Sequence, residues 1–306
     1  MKFAIHRQQM KNSMLPIAMI LGAIGYKWMG YLTFLSPYLI FLMLFITYCK
    51  LDPHHIKPTK THWLLLSIQM CLAAIVYLLL FKIDHTLAEG IFICIFVPTA
   101  TAAPVITTML GGSLSFVTTY SLLCNGLVAI IGSAVLAAVG DNVSLGFWES
   151  TWMIITKVFP LLILPLAVAF LFKWIWPKGH ERIQKAQQLS FYLWAISLLI
   201  IVGSCVSFVI NHWDEDAVVL VALLVAGSLA ACVIQFIIGR RMGNGVEEKV
   251  SIAQSLMQKN TVLAVWLAMS YMTPLASVAP AAYIAWQNII NSWQLWEKDN
   301  NVHKLR

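Results

Sequence analysis

The sequence predicts an all-α polytopic membrane protein of ten transmembrane helices, arranged as two inverted five-helix repeats whose fourth and ninth helices are discontinuous. Three observations carry this expectation. Of 306 residues, 60% are hydrophobic and 11% charged, with a mean hydropathy of +0.79; soluble domains run nearer 45–50% apolar and about 25% charged. Apolar runs near the ~20 residues that cross a bilayer recur along the whole chain. Two of these runs are interrupted, one in each half and at the same ordinal position. This composition excludes a water-soluble enzyme and a disordered chain.

The runs are approximately 14–30, 33–50, 62–82, 87–110, 114–139, 148–175, 187–210, 216–239, 249–272 and 274–296. The first holds Gly22, Gly25 and Gly30 and follows a basic head over residues 1–13, which reads as a solvated tail, with a short amphipathic helix carrying Phe3, Ile5 and Met10 as the alternative. No Ala-x-Ala-like cleavage site follows it, so it is expected as a membrane helix and not a signal peptide. The third carries Gln69. The fourth contains Pro98 and Pro104. The fifth carries Ser121 and Asn125, and the sixth carries Lys157 and is loosened by Pro160 and Pro165. The ninth is interrupted by Gln254-Ser255 and Gln258-Lys259-Asn260-Thr261, and the tenth holds Asn288 and Asn291. The first repeat is expected over 1–140 and the second over 141–306.

The net charge of +7 reads as loop charge that orients membrane helices, with no nucleic acid as partner. With both termini inside, most lysines and arginines fall on the cytoplasmic side, while Asp84, Asp141 and Asp214-Glu215-Asp216 fall outside. A plasma (bacterial inner) membrane location with cytoplasmic termini follows as the expectation. Trp28, Trp63, Trp148, Trp174, Trp176, Trp213 and Trp296 lie near span ends, where indoles anchor to the interface. The six cysteines form no CxxC and read as buried, reduced hydrophobes.

The interruptions carry the functional reading. A proline removes a backbone donor and clashes with the carbonyl four residues earlier, and freed peptide groups are tolerated in hydrocarbon only beside a cavity or a ligand. Two prolines six residues apart, with small and hydroxyl residues between, imply an opened segment; a doubly kinked packing helix is the alternative. Interrupted helices at matching positions of two halves point to a transporter binding site.

At these two stretches the sequence resembles the bile acid:sodium symporter family (BASS), ten-span inverted-repeat carriers of organic anions. The family's Pro-Gly-Gly-Thr-Ala-Ser-Asn, an apolar pair and Thr stand here as Pro98-Thr99-Ala100-Thr101-Ala102-Ala103-Pro104-Val105-Ile106-Thr107. The end of its Glu-x-Gly-Met-Gln-Asn-Ser/Thr-x-Leu-Ala stands as Asn260-Thr261-Val262-Leu263-Ala264. Gln69, twenty residues before Glu89, resembles a sodium-site glutamine of the family. The resemblance implies panel helices over about 14–50 and 148–210 that rock against core helices over about 62–139 and 216–296.

The sodium ligands depart from the pattern. Aligned without gaps, the family's Ser-Asn pair falls on Ala103-Pro104, its Glu on Ser255 and its Gln on Lys259; a one-residue gap matches Gln254 and Gln258 instead. Either register leaves no carboxylate at the break. Sodium coupling at the first family site is therefore not expected. A weaker site using Gln69, Ser255 and freed carbonyls, proton coupling and uncoupled transport all stay open, and no other cofactor is called for.

Lys259 is the foremost candidate, because a charge at mid-membrane costs several kcal/mol and defaults to a functional role. It could stand in for the missing cation, bind an anionic substrate, titrate during transport, or snorkel to an interface. Glu89 is expected as an interfacial carboxylate. The substrate- and ion-binding set is Gln69, Thr99, Thr101, Pro104, Thr107, Thr108, Ser255, Gln258, Lys259, Asn260, Thr261 and Asn288, with no catalytic residue and no assigned metal site. The function implied is secondary transport of a small or amphipathic organic anion by alternating access, in a chain expected as a monomer in the bilayer. The alternative is a membrane-embedded sensor that binds ligand without flux. The histidines fall in loops, tails or span ends, so an intramembrane enzyme is not expected, and no G-x-x-x-x-G-K-[ST] supports ATP-driven pumping.

Overall fold

Hydrocarbon offers no water to satisfy peptide groups, so an apolar chain closes its hydrogen bonds within helices. The structure, a computed structural model, describes residues 14–139, 147–211 and 217–304. The basic tail, Asp141 and Asp214-Glu215-Asp216 lie outside these residues, as does the side chain of Lys157. In chain order the elements are α1 (Met14–Ile24), α2 (Tyr26–Tyr48, with a 3-10 stretch at Gly30–Leu35), α3 (Lys60–Phe81), α4 (His85–Phe96), α5 (Ala103–Leu110), α6 (Leu114–Val139), α7 (Phe147–Ile175), α8 (Pro177–Lys185), α9 (Gln187–Asn211), α10 (Val218–Met242), α11 (Val246–Met257), α12 (Thr261–Tyr271) and α13 (Val278–Lys304). No strand forms among the described residues; one isolated antiparallel bridge joins Thr99 to Lys259.

The chain is an all-helical membrane protein. Four described helical stretches are long and apolar enough to cross a membrane: α2, α3, Leu114–Gly132 of α6, and α10. A fifth is reached if α8 and Gln188–Ser204 of α9, bent by 63°, count as one span. The fourth and ninth predicted runs are each two short helices, α4 with α5 and α11 with α12. At 1.5 Å per residue, none of these four alone covers the ~30 Å hydrocarbon core.

The first predicted run also differs. Helix α1 stops at Ile24, and α2 begins at Tyr26 rather than near residue 33. Gly25 leaves the helical region (φ −84°, ψ 16°), whereas Gly30 stays in it (φ −55°, ψ −38°), so the break falls at Gly25. The remaining glycine, Gly22, serves packing. A Cβ on Gly22 would stand 2.3 Å from the Leu199 carbonyl oxygen, and one on Gly203 would stand 2.6 Å from the Gly22 oxygen. Helices α1 and α9 therefore touch backbone to backbone, as small residues allow in membrane interiors.

Two large apolar cores, and a smaller one joining α3, α6 and α11 through Leu65, Tyr120 and Leu256, divide the molecule. One large core joins α4, α10, α12 and α13 through residues such as Ile91, Leu224, Leu267 and Ala279. The other joins α1, α2, α5, α7 and α9 through Leu15, Met43, Ile106, Ala169 and Trp194. Helix α13 packs against both α10 and α9, and so stands where the two large cores meet.

Glu89, expected as an interfacial carboxylate, is fully buried among the helices near the start of α4, and its Oε2 accepts a hydrogen bond from the Thr273 backbone N–H at 3.0 Å. The turn between α12 and α13 has backbone donors that need an acceptor, and α4 supplies one. Among the cysteines, Cys71 is exposed on α3, while Cys49, Cys94, Cys124 and Cys232 are buried and unpaired.

Candidate functional site

Local sequence explains each break. The residue before a proline prefers extended backbone, and Val97 ahead of Pro98 adopts φ −57°, ψ 152° and ends α4. Pro104 sits in the first turn of α5, where its missing N–H costs nothing. Gly111 closes α5 in the left-handed region at φ +89°. The second break needs no proline. Gln258 turns extended at the end of α11, and the Asn260 side chain caps α12 by accepting from Leu263 N–H at 3.2 Å.

The two opened segments cross and pair. Ala100 N–H donates to the Gln258 carbonyl and Asn260 N–H to the Pro98 carbonyl, both at 2.9 Å, which sets Thr99 opposite Lys259. Side chains satisfy most of the remaining backbone groups. The Thr99 hydroxyl donates to the Ser255 carbonyl at 3.0 Å. Gln287 Oε1 accepts from Lys259 N–H at 3.0 Å. Gln69 Nε2 donates to the carbonyls of Phe96 and Val97, each at 3.1 Å. The Tyr283 hydroxyl donates to the Met257 carbonyl at 2.8 Å. Asn125 Nδ2 makes a long contact of 3.4 Å to the Thr99 carbonyl. Gln69 is near the middle of α3, about 15 Å from its first residue, so the crossing lies at the midpoint depth of a membrane-crossing helix.

A cavity of about 80 Å³ opens beside the crossing. Its polar wall includes Thr101, Gln258, Asn260, Thr261, Gln287 and Asn288, and its apolar wall includes Met43 of α2 and Trp194 and Leu198 of α9. It is polar and roomy enough to hold several waters. Ala102, the N-cap residue of α5, and Thr261 and Val262, the first residues of α12, border it, so the positive ends of two helix dipoles lie beside the space.

The residues singled out from sequence divide into three groups. Thr101, Gln258, Asn260, Thr261 and Asn288 meet at the cavity, and Lys259 joins its wall at the bridge, although its side chain is only 1% exposed. Asn288 also bonds its own helix, Nδ2 donating to the Ile284 carbonyl at 2.7 Å. Thr99, Gln69 and Ser255 sit behind the crossing and are committed to structure. Ser255 Oγ donates to the Ser251 carbonyl at 2.8 Å, and Gln69 Oε1 accepts from Tyr120 at 2.7 Å and from the Cys124 thiol at 3.7 Å. Pro104, Thr107 and Thr108 belong to α5 itself: both hydroxyls bond back within the helix, to the Ala103 and Pro104 carbonyls. Neither lines the cavity.

The sodium ligands that the resemblance implies are differently occupied here. Ala103 and Pro104 carry no side-chain oxygen, and Gln69 and Ser255, the remaining ligands that the resemblance implies, are engaged elsewhere. Among the described residues, no three His, Cys, Asp or Glu side chains gather to hold a metal ion. Sequence reasoning missed Gln287, whose polarity inside an apolar run was a usable signal. It also missed Tyr120, Tyr283 and Gln235, where one tyrosine or glutamine in a span says nothing about its partner. A comparison with models of known protein families matches none of them, and a comparison with curated protein sequences finds no match.

Proposed function

We propose that this chain is a secondary transporter that moves a small organic anion across a membrane by alternating access, and that it is a divergent relative of the bile acid:sodium symporters. The observation that carries this reading is the crossing itself. Two broken helices pair at Thr99 and Lys259 beside a cavity bordered by two helix N-termini. Unwound backbone at that depth is what a carrier needs for a solute to meet peptide dipoles, and the positive helix ends favour an anion.

The inverted repeat is supported by a pair of matching contacts. Gln69 and Tyr120, from the third and fifth predicted spans, are hydrogen-bonded and cap the end of α4. Gln235 and Tyr283, from the eighth and tenth, are hydrogen-bonded and cap the end of α11. In this reading α1, α2, α7 and α9 form a panel that moves against the remaining helices along the cavity. In this reading the protein has ten spans in the plasma membrane, with both termini in the cytoplasm.

Thermal-shift screening of small carboxylates on purified protein, followed by uptake of each hit into proteoliposomes, tests the proposal. A carrier shows accumulation or exchange of a stabilising anion. A sensor is stabilised by the anion and shows no flux, and that outcome replaces the carrier reading.

A further inference from the structure

Lys259 is among the largest fully buried side chains of the molecule, and its Nζ has no hydrogen-bond partner among the described residues. A buried charge without a counter-charge is costly unless some other field compensates it. The chain offers no carboxylate here: no Asp or Glu occurs between residues 90 and 140 or between 249 and 296. Glu89 lies more than a turn before the end of α4 and is engaged by Thr273.

What surrounds Lys259 is the negative end of helices. It follows directly on the last residues of α11, and the bridge sets it against Thr99, three residues past the end of α4. Cys94, in the last turn of α4, and Cys124 of α6 lie within electrostatic range of its ammonium. The Cys94 carbonyl is a special case. Its usual donor four residues on would be residue 98, and Pro98 has no N–H. On α6, Ser121 and Asn125 share a face with Cys124, and Ser121 Oγ and Asn125 Oδ1 are buried and unpartnered. Converging helix C-termini and unpaired oxygens make an environment that calls for a cation.

We infer that the Lys259 ammonium is a tethered cation that neutralises the negative helix ends at the crossing, so that the solute is carried with no soluble cation bound there. This rests on the transporter reading and deepens it, naming the residue that takes the place of a coupling ion. Lys259 acts through the crossing and is a positioning residue: it holds α4 and α11 together while the cavity on the other side of the bridge meets the solute.

The test uses purified full-length protein, with thermal unfolding and proteoliposome exchange measured in Na+, K+ or N-methyl-D-glucamine chloride at constant ionic strength. Wild type is expected to unfold at the same temperature, and to exchange anion at the same rate, in all three. Lys259→Ala opens a space for a soluble cation. It is expected to unfold at a lower temperature and to regain stability, saturably, with methylammonium or Na+. Lys259→Met fills the space without charge, and is expected to be destabilised and to gain nothing from either cation.

A saturable Na+ effect on wild type overturns the inference. So does a Lys259→Met variant with wild-type stability, which can be judged even if Lys259→Ala cannot be purified. So does a folded Lys259→Ala variant that responds to neither cation. The stability readouts need no transport. If wild type exchanges no anion yet the cation pattern holds, the transporter reading fails and the tethered cation stands.

Discussion

The Tyr120 hydroxyl donates to Gln69 Oε1 at 2.7 Å, and the other end of the same amide donates to the two carbonyls that α4 leaves open at Phe96 and Val97. A helix that stops inside a membrane must have its last carbonyls satisfied. Here that is done from two neighbouring helices, α3 and α6. Replacing Gln69 by Leu leaves both carbonyls without this donor and is expected to cost roughly 2–4 kcal/mol, whereas Tyr120→Phe is expected to cost about 1 kcal/mol. Thermal unfolding in detergent separates the two; equal losses would show that Gln69 is not the cap.

The matching contact in the second half gives a coupled prediction. Tyr283 donates to Met257 and accepts from Gln235 Nε2 at 3.0 Å. Tyr283→Phe is expected to lose about 1–2 kcal/mol. Adding Gln235→Leu to it is expected to cost less than the sum of the single changes, because the amide has already lost that partner. A double-mutant cycle on unfolding free energies checks this, and strict additivity would rule it out.

Asn260 has two duties that substitution can separate. Its side chain caps α12, and the residue lines the cavity. Asn260→Ala is expected to lose about 1 kcal/mol of stability. Asn260→Asp keeps the capping oxygen and adds negative charge where an anion is proposed to bind. Stability near wild type with weakened anion binding is therefore expected, read by unfolding and by ligand-induced thermal shift. Unchanged anion binding in Asn260→Asp would argue against a solute at this wall.

At Gly203 an added Cβ would meet Met29 Cγ at 2.3 Å and the Gly22 carbonyl oxygen at 2.6 Å. Gly203→Val is expected to destabilise by roughly 1–3 kcal/mol, by forcing α1 and α9 apart. Gly126→Ala, where nothing lies within 4 Å of the new atom, is expected to stay within about 0.5 kcal/mol of wild type. Unfolding of the two variants side by side is the check.

The breaks were legible in the sequence because Pro98, Pro104 and Asn260 act locally, through a missing donor, a fixed φ and a short side chain that caps. The position of Lys259 at the crossing was legible too, since a charge inside an apolar run has few neutral explanations. The direction of its side chain was not, because that depends on the pairing of Thr99 with Lys259 across 160 residues. Gln69 stood out as polar, but its role depends on Tyr120 and on two carbonyls from another helix. Thr107 and Thr108 attracted attention as hydroxyls and turn out to bond their own helix. The early end of α1 was missed because three glycines in one run look alike until packing assigns Gly22 to a contact and Gly25 to a break.

The central claim is that the cavity beside the Thr99–Lys259 bridge is the solute path. The most direct test is counterflow of a labelled small carboxylate in proteoliposomes, comparing wild type with Ala102→Trp, which fills the cavity from the polar side of the crossing. Exchange by wild type and none by Ala102→Trp, with the variant folded and inserted, is the expected result. Exchange at the wild-type rate in folded Ala102→Trp would contradict it.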